Sequence, residues 1–252
     1  MSTVLNPSIT RATAVRVLRQ LRADPRTVAM VVVVPTALLT LLYFLYHDSP
    51  GGPALFSRIA LVLLGVLPFA LMFIVTSIAM QRERSTGTLE RLLTTPLAKA
   101  DLLLGYAVAF SLAATVQAVL ATTVATYLLG METAGSVWLV VLIAVVDAWL
   151  GVALGLLFSA FARTEFQAVQ FMPIVVVPQI FLCGLLVPHD AMPGWLQGIA
   201  DVLPMTYAVQ ALQEVGAHAS PTGTMWTSLS VVAGFAVAAL ALAAATLPRK
   251  VS

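Results

Sequence analysis

Six stretches of this chain are long, apolar and almost free of charge, near residues 27–46, 59–80, 102–129, 136–161, 168–187 and 225–247. A helix needs about 20 apolar residues to cross the hydrocarbon core of a bilayer. In lipid the backbone must satisfy its own hydrogen bonds, so only helices and closed barrels span it. Barrel strands alternate apolar and polar residues in segments of about 10. The run Leu139–Val146, LVVLIAVV, shows no such alternation. The expected fold class is therefore an all-α polytopic membrane protein with six transmembrane helices. Composition agrees: 60% of the residues are hydrophobic and only 10% are charged, where soluble domains carry about 25% charge. A soluble enzyme, a disordered chain and a nucleic-acid binder are excluded. No small-residue cleavage site follows the first apolar run, so no cleavable signal peptide is expected.

The basic residues orient the spans. Five arginines precede the first span: Arg11, Arg16, Arg19, Arg22 and Arg26. Arg82, Arg84, Arg91 and Lys99 lie between spans two and three, Arg163 between four and five, and Arg249 and Lys250 after six. Only Arg58 of the 13 basic residues falls on the other side. Positive loops stay in the cytoplasm, so both termini are expected inside. The single cysteine, Cys183, rules out an internal disulfide and a cysteine metal site. His189 and Asp190 are adjacent but too few for a metal centre, so no metal is expected.

Three segments are not spans. Residues 9–26 read as an amphipathic interfacial helix, with Ala14, Val17, Leu18 and Leu21 on one arc and the five arginines on the other. Such a helix lies with its apolar face in acyl chains and its arginines among lipid phosphates. In the loop 81–101, Gly87 breaks the preceding helix, Thr88 can cap a short new one, and Pro96 ends it. Leu89, Leu92 and Leu93 then share one face, with Glu90 and Arg91 opposite. That face fits either a groove in a partner or the bilayer surface. The segment 188–224, between spans five and six, is apolar yet chopped by Pro188, Pro193 and Pro204. Short helices packed on the protein's own outer face fit it best.

Two of these segments together resemble the type-2 ABC transporter permeases. That family's loop after span two reads Arg-Glu-Arg/Lys, then Gly-Thr-Leu/Phe-Glu, then Leu and Pro. Here Arg82-Glu83-Arg84 precedes Gly87-Thr88-Leu89-Glu90, then Leu92, Leu93 and Pro96. After span five the family has Gly, a hydrophobic pair, Pro, Met-Pro and Pro-x-Thr-Tyr. Here these are Gly184, Leu185-Leu186, Pro188, Met192-Pro193 and Pro204-Met205-Thr206-Tyr207. Two positions depart from the pattern: Cys183 stands where serine is common, and Gln213 follows Leu212 where a basic residue is common.

The resemblance implies one transmembrane domain over residues 1–252. Residues 83–97 would be a coupling helix seated in a separate ATPase subunit, with Glu83, Glu90 and Arg91 making salt links. Residues 188–210 would be re-entrant helices capping the external mouth, with Gly184, Pro188, Met192, Pro193, Pro204, Thr206 and Tyr207 as an external gate. Two permease chains, alike or different, and an ATPase dimer would complete the transporter in a bacterial plasma membrane. The relatives closest in pattern and size look like actinobacterial drug and antibiotic exporters of the daunorubicin-resistance permease type, whose cargo is small amphiphiles. Lipid and polysaccharide exporters share the fold. ATP and magnesium would belong to the partner, because this chain has no phosphate-binding loop and Gly-Lys never occurs in it. The chain is thus expected to be no enzyme and to hold no cofactor of its own.

Asp147 is the one charged residue well inside a span. A charge at that depth is costly and should face the bundle interior. It reads as a structural contact between helices, a contact to a cationic substrate, or a proton carrier. Gln117, Gln170 and Gln179 are its candidate partners along a translocation pathway. A proton-coupled secondary transporter using Asp147 is the alternative from another class. An intramembrane enzyme would need several catalytic groups at one depth, and a scaffold would need none.

Overall fold

The structure is a computed structural model that describes residues 6–86 and 99–246. Among these residues, every regular element is helical. Helix α1 (Pro7–Ala23) starts on Asn6, whose side chain accepts from the Ser8 N–H. It stops at Asp24, whose own N–H bonds back to the Leu21 carbonyl. Asp24 then caps α2 (Pro25–Tyr46) by accepting from the N–H groups of Arg26 and Thr27. A residue before proline avoids the helical region, so the expected helix over 9–26 breaks at Asp24. Arg26 consequently belongs to α2 and not to the interfacial helix.

Helix α3 (Gly52–Ser85) is 34 residues long, roughly 50 Å at 1.5 Å per residue. It begins seven residues before the expected span and continues through Arg82 and Arg84. Hydropathy marks where a helix leaves the hydrocarbon, not where it ends. Helix α4 (Lys99–Thr123) runs into a π-helical turn, Val124–Leu128. Helices α5 (Val137–Ser159) and α6 (Glu165–Leu182) follow. The fifth span ends earlier than 187, because the chain turns at Gly184, whose φ of +93° is open to glycine. A 3₁₀ turn (His189–Ala191) and helices α7 (Gly194–Ala200) and α8 (Pro204–Ala217) make up most of the 188–224 segment. Helix α9 (Gly223–Thr246) closes the bundle. Six helices, α2 to α6 and α9, are long and apolar enough to cross a membrane.

Helix α3 is the central column. It packs along α5, and also touches α2, α4, α6 and α8. The α3–α5 seam is backbone-close. A Cβ at Gly151 would strike the Phe69 carbonyl, and one at Gly155 would lie 2.6 Å from the Phe73 carbonyl. The Gly151-x-x-x-Gly155 spacing thus serves helix packing. Helices α2, α6 and α9 are mostly exposed, with apolar side chains such as Leu41, Phe44, Ile174 and Phe181 pointing outward. That is the surface of a chain solvated by lipid.

Helix α1 departs from expectation. Its apolar arc does not face acyl chains: Ala14 and Val17 are buried, and Leu18 and Leu21 pack with them against α4 side chains including Tyr106. The approach is tight, since a Cβ at Gly105 would lie 2.5 Å from Thr13 Cβ.

Candidate functional site

The arginine-bearing end of the bundle is cross-linked by side chains. Arg16 on α1 donates to Glu83 Oε1 at 3.0 Å and to the Tyr106 hydroxyl at 3.1 Å. It therefore joins α1 to the end of α3 and the start of α4. Glu83, expected to reach an ATPase, is engaged within the chain and largely buried. Arg82 forks onto Glu165 at 3.1 and 3.2 Å, tying α3 to the first residue of α6. Asp101, itself buried, accepts at Oδ1 from the Asn6 N–H and the Thr10 hydroxyl, fixing α1 along α4. The other residues expected to form the coupling helix, Gly87 to Pro96, lie outside the described residues. Arg11, Arg19, Arg22 and Arg26 are exposed, while Arg16 is half-buried.

Between α1 and the bases of α2, α3 and α4 lies a cleft of about 390 Å³. It is lined by the apolar Val75, Ile78 and Phe110 and by the charged Asp24, Arg82 and Glu83. Asp24 is held below the ordinary carboxylate range by the Thr27 hydroxyl, 2.7 Å away, and by backbone N–H donors.

The intramembrane polar residues do not assemble as expected. Asp147 is fully buried, and neither of its oxygens has a hydrogen-bond partner among the described residues. It sits beside Gly65 of α3, where an added Cβ would meet both Asp147 Oδ2 and Leu212. Gln117 is buried and equally unpartnered. Gln170 faces outward. Gln179 is committed elsewhere, donating to the Val175 carbonyl and accepting from the Met205 N–H. Neither Gln170 nor Gln179 is therefore a partner of Asp147. Polarity and shared depth put both on the list, but helix rotation and the needs of a nearby helix start decide where each side chain points.

At the opposite end, the residues expected to form a gate lie along the segment from Gly184 to α8, and their bonds are to its neighbouring residues. The Thr206 hydroxyl donates to the Ala200 carbonyl, and the Tyr207 hydroxyl donates to the Asp201 carbonyl, both at 2.8 Å. These bonds fold α8 back against the end of α7. Pro188 caps the 3₁₀ turn, Pro193 caps α7, and Pro204 opens α8. Met192 is buried, and its carbonyl accepts from Gln197. The buried face of α8 (Met205, Ala208, Val209, Leu212) closes over α3 and α5. No group of three or more metal-ligating side chains is present among the described residues.

A sequence profile of the ABC-2 type transporter family matches residues 10–215. This chain belongs to the ABC-2 type transporter family. It is similar to a probable multidrug ABC transporter permease, YbhR, of Escherichia coli K12, at 31% identity over 156 residues. That match covers 62% of this chain and 42% of the relative. It is also similar to the linearmycin resistance permease protein LnrN of Bacillus subtilis, at 27% identity, covering 54% of this chain and 35% of that one. The daunorubicin resistance ABC transporter permease protein DrrB1 of Streptomyces coeruleorubidus shares 34% identity over 68 residues, 27% of this chain and 23% of its own length. The chain thus matches less than half the length of these relatives.

In this ABC-2 membrane domain, several structural anchors escape a reading by sequence. Asp101, Tyr106 and Gly105 lie in an apolar helix start, DLLLGY, with no repeated pattern. A buried acid in a first helical turn is the one signal that marks them. Glu165, the partner of Arg82, is equally unremarkable until α6 is placed beside α3. The ABC-2 assignment and six apolar helices make the chain a multi-pass membrane protein.

Proposed function

We propose that this chain is the permease subunit of an ATP-driven exporter, moving drugs, antibiotics or related amphiphiles out across a bacterial plasma membrane. The ABC-2 match over residues 10–215 carries this reading, and the names of the multidrug and antibiotic-resistance relatives favour the substrate class. The arginine-bearing end faces the cytoplasm, following the positive-inside rule. A separate ATPase dimer docks beneath the 83–97 loop, and a second permease chain completes the pathway.

The cross-links at the basic end support a mechanical role. Helix α3 ends at Ser85, close to Glu83, which is bonded to Arg16 of α1, itself bonded to Tyr106 of α4. A push on the loop by closing ATPase subunits therefore moves α3 together with α1 and α4. The α3–α5 glycine seam passes that motion to the helix that carries Asp147.

The test is co-purification. The chain is co-expressed with candidate ABC ATPases from the same genome, and the complex is isolated in detergent. A stable complex whose ATPase coupling is lost in the Leu89→Asp/Leu92→Asp variant is expected. Failure of every ATPase to associate, or an uncoupling variant that behaves as wild type, removes the exporter reading and leaves proton coupling through Asp147 as the competitor.

A further inference from the structure

The cleft between α1 and the bases of α2, α3 and α4 has a volume of about 390 Å³, within the range of small-molecule sites. Its composition is that of an amphiphile site. Val75 and Ile78 of α3 and Phe110 of α4 line it together with the charged Asp24, Arg82 and Glu83. Met30 of α2 borders it, and Val33, one turn further along, is exposed on the outer face of the bundle. A molecule with an apolar body can therefore enter along α2 from the lipid.

The charged residues select the head group. Three charged side chains line the cleft: two carboxylates, Asp24 and Glu83, and one guanidinium, Arg82. Arg82 is already forked onto Glu165. Glu83 gives Oε1 to Arg16, but its other oxygen, Oε2, is buried with no hydrogen-bond partner among the described residues. The Tyr106 hydroxyl interacts with the Glu83 carboxylate, yet no donor among the described residues has hydrogen-bond geometry to Oε2. A buried carboxylate oxygen without a donor is costly. An anionic head would leave it unsatisfied and would face two like charges. A protonated amine would donate to it, and charge-assisted bonds of this kind are the strong ones.

We propose that this cleft binds amphiphiles carrying a protonated amine, with the ammonium at Glu83 and the apolar body against Val75, Ile78 and Phe110. Its use as a loading site for export rests on the exporter reading above, whereas its occupancy by an amine does not.

The test uses the full chain purified in detergent, without an ATPase, and a matched pair of fluorescent probes. One is 11-(dansylamino)undecylamine, and the other is 11-(dansylamino)undecanoic acid, with empty micelles as the baseline. The amine is expected to bind and the acid to bind at least tenfold more weakly, the scale of one charge-assisted bond. Glu83→Gln should weaken amine binding about tenfold. Arg16→Gln, which frees the Glu83 carboxylate from its own partner, should tighten it. Disruption of the fold alone would move both variants the same way. Ile78→Trp keeps the ion pair and fills the cleft, and it should block the amine. The proposal is overturned if the acid binds as tightly as the amine, or if the amine does not bind. It is also overturned if Glu83→Gln leaves binding unchanged, if the two charge variants shift together, or if Ile78→Trp has no effect. None of these outcomes depends on ATPase association, so the cleft and the exporter reading fail separately.

Discussion

The two ends of this bundle are held together in different ways. At the basic end, partners distant in sequence are joined by charged side chains: Arg16 to Glu83, Arg82 to Glu165, and Asp101 to Asn6 and Thr10. At the opposite end, neutral side chains bond to nearby backbone carbonyls, as with Thr206 to Ala200 and Tyr207 to Asp201, and backbone groups of the 132–135 turn bond across the bundle to Ser57, Val215 and Gly216. Of the contacts at the basic end, the Arg82–Glu165 pair is exposed on both sides, and such a pair is weak and screened by salt, whereas Glu83 and Asp101 are mostly buried. Short-range bonds to backbone fix a segment as one body. The exposed charged pair at the basic end should respond to salt, and the neutral bonds at the opposite end should not.

The largest effect is expected in the seam on which both ends hang. Gly151→Val places a side chain against the Phe69 backbone, which cannot retreat as a flexible side chain does. A loss of about 3 kcal/mol or more, or failure to fold, is expected in detergent thermal melts. A variant with wild-type stability would show that the seam is looser than described.

Next come the neutral bonds. Thr206→Val, whose hydroxyl bond is buried, should cost about 1–2 kcal/mol, equally at low and high salt. Arg16→Gln should cost about 1 kcal/mol, a loss that shrinks in high salt. Equal salt dependence in the two variants would erase the contrast between the ends. Arg82→Gln, in a pair exposed on both sides, should cost about 0.5 kcal/mol or less.

The smallest effect is a pH dependence. The Asp24 carboxyl is held below its ordinary value, first by the Thr27 hydroxyl and then by backbone N–H groups. Its stabilising contribution is complete above the unfolded carboxyl value, about 3.9. It is lost as pH falls through the lower folded value. Thr27→Val should narrow that acid transition, measured by melting between neutral pH and pH 3. An unchanged acid limb would show that the cap carries no linkage.

The architecture was legible where it depends on periodicity and bulk hydropathy. Six apolar runs mark six helices, and Gly151 and Gly155 mark a close seam. Leu185, Leu186 and the prolines after them mark a segment that cannot span. What stayed hidden depends on pairing across helices. Arg16 looks like its four arginine neighbours until α4 brings Tyr106 beside it. Gln170 and Gln179 look alike in sequence, yet one faces outward and the other serves the start of α8. The stop at Asp24 was readable from Asp-Pro, but the arginine series that continues past it to Arg26 masks the signal.

Asp24 ends one helix and begins the next, with no residue between them. Pro25 locks its own φ, so the junction has essentially two free torsions, both at Asp24. A hinge with so few degrees of freedom is a crank and not a tether. A swing of α1 across the base of the bundle must appear as a tilt or an axial roll of α2. Helix α2 has few buried side chains to hold it back, so a rocking motion at the base can change which stripe of α2 meets the lipid.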